Sequence, residues 1–152
     1  PADVDSGGFI PNWAMWFILE LKDYSYRTGD SAFISLFRYK VYRLIGWFER
    51  FENADGLLER LPGWVFIEWS KANDFVQDIN FPSNMLYSAA LSAAGELFSD
   101  EKLKQKSEKL REIIRERSFD GEFFRDNEVY NKDGVPSATE KHHLSPYLRP
   151  HT

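Results

Sequence analysis

Residues 83–98 read SNMLYSAALSAAGELF, and between Met85 and Leu97 the single charge is Glu96. Pro82, just ahead, suits a first helical turn, so the stretch predicts a helix from about Pro82 to Phe98. Met, Leu, Tyr, Ala, Ser and Gly surround it on every side, which marks an enclosed helix, and the small residues let neighbours approach closely. The next segment differs. Ser99 and Asp100 can cap a helix over residues 101–117, whose apolar set is Leu103, Leu110, Ile113 and Ile114 amid Lys, Arg and Glu. Such a helix faces water on most sides.

The same order stands upstream. Residues 12–28 carry no internal Gly or Pro before Gly29, a good helix stop, and apolar residues 13–19 go round the first two turns. That predicts a second enclosed helix. Asp30 and Ser31 are N-cap candidates for a helix over 32–51, apolar at 33, 34, 37, 41, 44, 45 and 48 and ended by Asn53, Asp55 and Gly56. Enclosed, one-sided, enclosed, one-sided predicts an all-α chain of hairpins in two layers, the first helix of each lining the inside and the second covering it. No repeat is detectable by identity.

Between the hairpins, residues 57–69 predict two short extended pieces around Pro62-Gly63, followed by a polar loop through Asp78. In PGWVFIEW (62–69), strict alternation puts Trp64, Phe66 and Glu68 on one face and Val65, Ile67 and Trp69 on the other. A carboxylate beside an indole suits a sugar, whose apolar C–H side lies against the ring while acids and amides take its hydroxyls. A short buried strand with aromatics in the core fits the same residues. Downstream, the stretches around Phe123-Phe124 and Val129-Tyr130 could pair as a hairpin, and residues 136–152, with three prolines, predict an irregular tail.

With 152 residues, a formal charge of −5 and pI near 5.2, the chain has no basic face for a polyanion, which argues against nucleic acid. Aromatics make up 16% of the residues, so either the core is very aromatic or some of them line a cleft. There is no cysteine, hence no disulfide or thiol chemistry. The longest nearly uncharged apolar run, residues 9–19, is short of the roughly 20 needed to span a bilayer, so no membrane role is expected. Asp3 and Asp5 stand where a secretory leader would be basic. The compartment stays open.

IPNWAMWFILELKDYSYRTGD (10–30), IGWFERFENADGLLE (45–59), GWVFIEWS (63–70) and SNMLYSAALSAAGELF (83–98), in this order, resemble the middle of the catalytic domain of bacterial α-L-rhamnosidases, glycoside hydrolase family 78. The resemblance covers about residues 9–135. It implies an (α/α)6 barrel of six hairpins, of which the chain, as a single partial domain, would supply about two. It also implies inverting hydrolysis of terminal α-L-rhamnosides, which needs two carboxyl groups about 6.5–9.5 Å apart. The family's acid lies upstream of the matched segment and its base downstream, so no catalytic residue is expected here and the isolated chain should be inactive. What carries over is a sugar-contacting wall: Trp13, Trp64, Glu68 and Trp69. The sequence departs from the family at Glu68, where Asp is usual, and at Asn12, where Asp often precedes the Trp. After Glu140, KHHLSPYLRPHT breaks with the family's pattern.

Two rival readings fit the same residues. An unsaturated glucuronyl hydrolase is also a six-hairpin enzyme, but its acidic sugar calls for a cation beside Trp64; the other rival is a helical binding module without chemistry. No cofactor or metal is expected. His142 and His143 are adjacent and diverge, with His151 too poor a third ligand. DNEVYNKD (126–133) lacks the sixth-position Gly and closing Glu of a calcium loop, and a turn over 131–134 fits better. Glu20 and Asp23 could face one another, though Lys22 and Arg27 favour a solvated ion-pair face. Asn84 and Tyr87 either reach the cleft or pack. A cut barrel would expose apolar helix flanks, from which self-association is expected.

Overall fold

The computed structural model describes residues 9–67 and 76–130 together with the backbone of Pro136–Ser137. Its elements are α1 (Pro11–Thr28), α2 (Ser31–Phe48) continuing into a 3-10 turn (Glu49–Phe51), β1 (Ile79–Asn80), α3 (Phe81–Phe98), α4 (Glu101–Ser118), β2 (Asn127–Tyr130) and β3 (Pro136–Ser137). The chain is all-α with a small antiparallel sheet in the order β1-β2-β3. Each helix begins where the sequence offers a cap or a proline. Asp30 accepts from the Phe33 N–H, Asn80 from Ser83 and Asp100 from Lys102 and Leu103, while α1 has Pro11 in its first turn. Gly29, at φ +67°, closes α1 by donating its N–H to Ser25 O.

α3 is the centre of the molecule, with α1 against one flank and α4 against another. Its contact with α4 is close because the residues there are small: the Ser88 and Ser107 hydroxyls donate to one another's backbone carbonyls at 3.1 and 2.8 Å. Nearby, a Cβ at Gly95 would fall 3.0 Å from Asp100 O. Phe48, Tyr87, Phe81, Leu91, Met15 and Ile18, all under 2% exposed, form the middle of one continuous core. The outer helices turn only a stripe inward: Ile34, Val41, Ile45 and Phe48 from α2, and Leu103, Ser107, Leu110, Ile114 and Ser118 from α4.

Three expectations need correction. α1 is not enclosed: Met15, Ile18 and Leu21 are buried, but Trp13 and Trp16 on the opposite flank are 55% and 53% exposed. It packs on α3 and α2, and no other described element covers its outer side. Residues 57–67 form no strand; a single bridge, Glu52 to Leu58, is their only ladder pairing, and strands form at β1, β2 and β3 instead. Phe124 pairs with Phe119, and Val129 with Ser137, so the hairpin joining the 123–124 and 129–130 stretches does not form. Nothing between Arg117 and Tyr130 in the sequence reveals β1 as the competing partner. Of the expected tail, Pro136 and Ser137 pair with β2; the histidines and residues 131–134 lie outside the described residues.

Candidate functional site

Gly63 sets the geometry of the loop that carries Trp64. It takes φ +84°, and a Cβ there would stand 2.4 Å from the carbonyl oxygen of Phe9, so only glycine lets the two backbones meet. The Trp64 N–H then donates to that same Phe9 oxygen at 3.0 Å, fastening the loop to the residues that lead into α1. Phe9 is itself held edge-on against Trp47 of α2, with ring centres 5.0 Å apart. Val65 turns inward and is 8% exposed, while Trp64 stays 45% exposed.

Phe66 joins the two indoles. Its ring lies 5.1 Å from that of Trp64 at 75° and 6.2 Å from that of Trp13 at 74°, edge-to-face in both cases. Trp13, from the first turn of α1, and Trp64, from the interhelical loop, thus flank one phenyl ring with about half of each indole in solvent. Two of the four residues expected in the sugar-contacting wall are brought together here; Glu68 and Trp69 lie outside the described residues. The expected alternation survives in part, since Trp64 and Phe66 are neighbours while Val65 points the other way.

The far end of this loop is clasped to the sheet. The Arg60 backbone N–H donates to Asp78 O at 2.7 Å and its Nε to Asp78 Oδ1 at 2.8 Å, with Arg60 at φ +50°. Asp78 Oδ2 also accepts from the Tyr130 N–H. Burial acts to raise the Asp78 pKa, but those donors outweigh it and hold the carboxyl below its usual range. Beside the clasp is a cavity of about 250 Å³ lined by Leu58, Leu61, Val65, Asp78, Asn80 and Ser83, among others. Nothing in the sequence marks Arg60 as the clasping residue.

Under the wall runs a buried polar relay that the sequence also hides. The Asn80 Nδ2 donates to Asn127 Oδ1, the Ser83 hydroxyl donates to Asn80 Oδ1 at 2.6 Å, and Asn12 Nδ2 donates to Ser83 Oγ at 3.0 Å. Asn12, next to Trp13, is 3% exposed and its Oδ1 has no partner among the described residues. Asn84 and Tyr87 do not reach a cleft. Asn84 is fully buried, clamping the Leu58 N–H and carbonyl, and Tyr87 donates from inside the core to Glu52. Burial, then Glu52, pushes the Tyr87 pKa far up, so it stays a neutral donor. Lys106 bridges Glu49 and Glu52 at 2.8 and 2.7 Å. Asp23 pairs with Arg27 at 2.8 Å rather than with Glu20. No group of His, Asp or Glu among the described residues could hold a metal ion, and no described helix is long and apolar enough to cross a membrane.

No protein-family model and no curated protein matches the chain. Among solved structures, a GH78-family rhamnosidase of Bacillus sp. GL1 is similar, with TM-score 0.63 and 23% identity over 85% of this chain. The chain spans 14% of the length of that protein. At this identity the likeness concerns the fold: two helical hairpins with their connecting loop are arranged as in a short stretch of a much larger molecule.

Proposed function

We propose that the chain is a segment of an α-L-rhamnosidase-like catalytic domain, an (α/α)6 barrel of six hairpins, and contributes part of its carbohydrate-binding wall rather than its acid and base. The observation that carries this is the meeting of Trp13 and Trp64 on Phe66, both half-exposed. A pair of indoles fixed by a shared ring offers the flat apolar surface that the C–H side of a deoxy sugar lies against, at little cost in side-chain entropy. Glu68 and Trp69 follow in the sequence and complete the proposed set, Glu68 as acceptor for a hydroxyl. The fold likeness to a rhamnosidase and the resemblance of the four sequence stretches to glycoside hydrolase family 78 both support the sugar class.

Inversion at the anomeric carbon requires an acid at the leaving oxygen and a base at a water on the opposite face. Both belong to barrel segments before and after this one. The role left to Trp13 and Trp64 is to orient the ring so that the two carboxyls can act, which lowers KM and raises kcat by holding a reactive geometry. Hydrolysis of a chromogenic α-L-rhamnoside by a longer protein containing this segment tests the reading. Turnover is expected, with Trp64→Ala lowering kcat/KM by about tenfold or more, as loss of one stacking surface does. Absence of turnover at high enzyme concentration would overturn the activity, and turnover indifferent to Trp64 would overturn the wall.

A further inference from the structure

We infer that Asp78 is a positioning residue for the indole pair: it fixes the arc of chain, residues 60–64, that sets Trp64 and Phe66 against Trp13. The inference rests on the carbohydrate reading for the purpose of the wall and on the hydrogen bonds alone for its geometry. The arc is anchored on both sides. Before it, Asn84 holds the N–H and the carbonyl of Leu58, and the Glu59 N–H donates to Phe51 O at 2.9 Å. At its far end the Trp64 N–H donates to Phe9 O, and Val65, next in the chain, is buried.

Arg60 is where the arc turns. Its φ of +50° lies in the left-handed region, which a residue with a Cβ keeps only where its surroundings impose it. Asp78 imposes it twice, through its carbonyl oxygen 2.7 Å from Arg60 N and through Oδ1 2.8 Å from Arg60 Nε. Its Oδ2 accepts from the Tyr130 N–H at 2.9 Å, so one carboxylate joins the arc to β2. Glu59 Oε1, 3.8 Å from Arg60 Nε, and the Tyr130 ring, 5.7 Å from the guanidinium carbon, are looser contacts of the same side chain. An ion pair whose arginine is 66% exposed adds little attraction, so what the carboxylate supplies is direction. The consequence falls on Gly63, whose missing Cβ would stand 2.4 Å from Phe9 O. An arc that leaves Arg60 at another angle misses that approach and carries Trp64 and Phe66 away from Trp13.

Nuclear Overhauser spectra of the full chain read this arrangement without any sugar, from the cross-peaks joining the Phe66 ring to the Trp13 indole. In Asp78→Ala these are expected to vanish while the helical circular dichroism stays that of the wild type. Asp78→Asn, which keeps the shape and one acceptor oxygen, should retain them in part. Tyr130→Phe, which removes the hydroxyl contact to Glu59 but not the N–H bond to Asp78, should retain them in full. Arg60→Ala, at an exposed side chain, should also lose them, and it carries the test if Asp78→Ala does not fold. L-Rhamnose titration then separates the two claims: Asp78→Ala should weaken binding about tenfold, as loss of one stacking surface does. A wild type with the cross-peaks and no affinity for rhamnose would overturn the carbohydrate reading and leave the positioning supported. Cross-peaks absent from the wild type, unchanged in Asp78→Ala and Arg60→Ala, or lost equally in Tyr130→Phe would overturn the positioning. Rhamnose bound by Asp78→Ala as tightly as by the wild type would overturn its bearing on the site.

Discussion

Two helical glycines show how differently the hairpins are built. At Gly95 of α3 a Cβ would meet Lys104 Cγ at 2.7 Å and Asp100 O at 3.0 Å, whereas at Gly46 of α2 it would meet nothing within 4 Å. The α3–α4 hairpin is closed on small side chains and reciprocal serine hydrogen bonds. The α1–α2 hairpin stands open, with Trp13, Trp16, Leu36 and Tyr39 all more than half exposed. α1 and α3 are both apolar around much of their circumference, so hydrophobicity alone does not determine enclosure. Neighbours do: α3 has a helix on each side, and α1 lacks one on its outer flank among the described residues.

The largest expected effect separates the two inner helices. Leu91→Ala in α3, at a fully buried site, should cost about 2–5 kcal/mol in urea unfolding. Trp16→Ala in α1 should change stability by only about 0.5 kcal/mol or less at concentrations where the chain is monomeric. Equal costs would erase the contrast. The glycines should then respond with opposite signs in thermal unfolding. Gly95→Ala should destabilise by about 1–3 kcal/mol through overpacking, while Gly46→Ala should stabilise by up to about 1 kcal/mol, the helix-propensity gain with nothing to clash.

A smaller effect sharpens the junction between the hairpins, where Tyr42 of α2 donates to Asp100, the N-cap of α4, at 2.7 Å. That hydrogen bond, ahead of the opposing effect of burial, lowers the Asp100 pKa, with the Leu103 and Lys102 N–H groups assisting. A folded-state pKa below the unfolded value of about 4 gives stability that is present above that pH and is lost as pH falls through the folded value. Tyr42→Phe should therefore lower stability slightly at neutral pH and flatten its decline below about pH 4. An unchanged acid limb in Tyr42→Phe unfolding would mean that the hairpins are not coupled there.

The helices were legible because their caps are local. Asp30, Asp100 and Gly29 sit where the sequence places them, and a cap needs only its own turn. The openness of α1 was not legible, since a helix apolar on all sides reads the same whether its neighbour belongs to the chain or to something else. The strand pairing was missed because β1 is two residues long and its partner lies on the far side of α3 and α4 in sequence. In the site, Trp13 and Trp64 were read from the resemblance, and alternation put Phe66 beside Trp64. The docking of Gly63 against Phe9, the Arg60 clasp and the Asn12 relay depend on long-range approach that no spacing encodes.

L-Rhamnose titrated into the ¹⁵N-labelled chain, followed at the indole N–H signals, tests the shared wall most directly. The Trp13 and Trp64 signals are expected to shift together along one saturable curve, while Trp47, packed among Phe9, Phe48 and Phe51, stays in place. Shifts confined to one of the two, or none at saturating sugar, would contradict it.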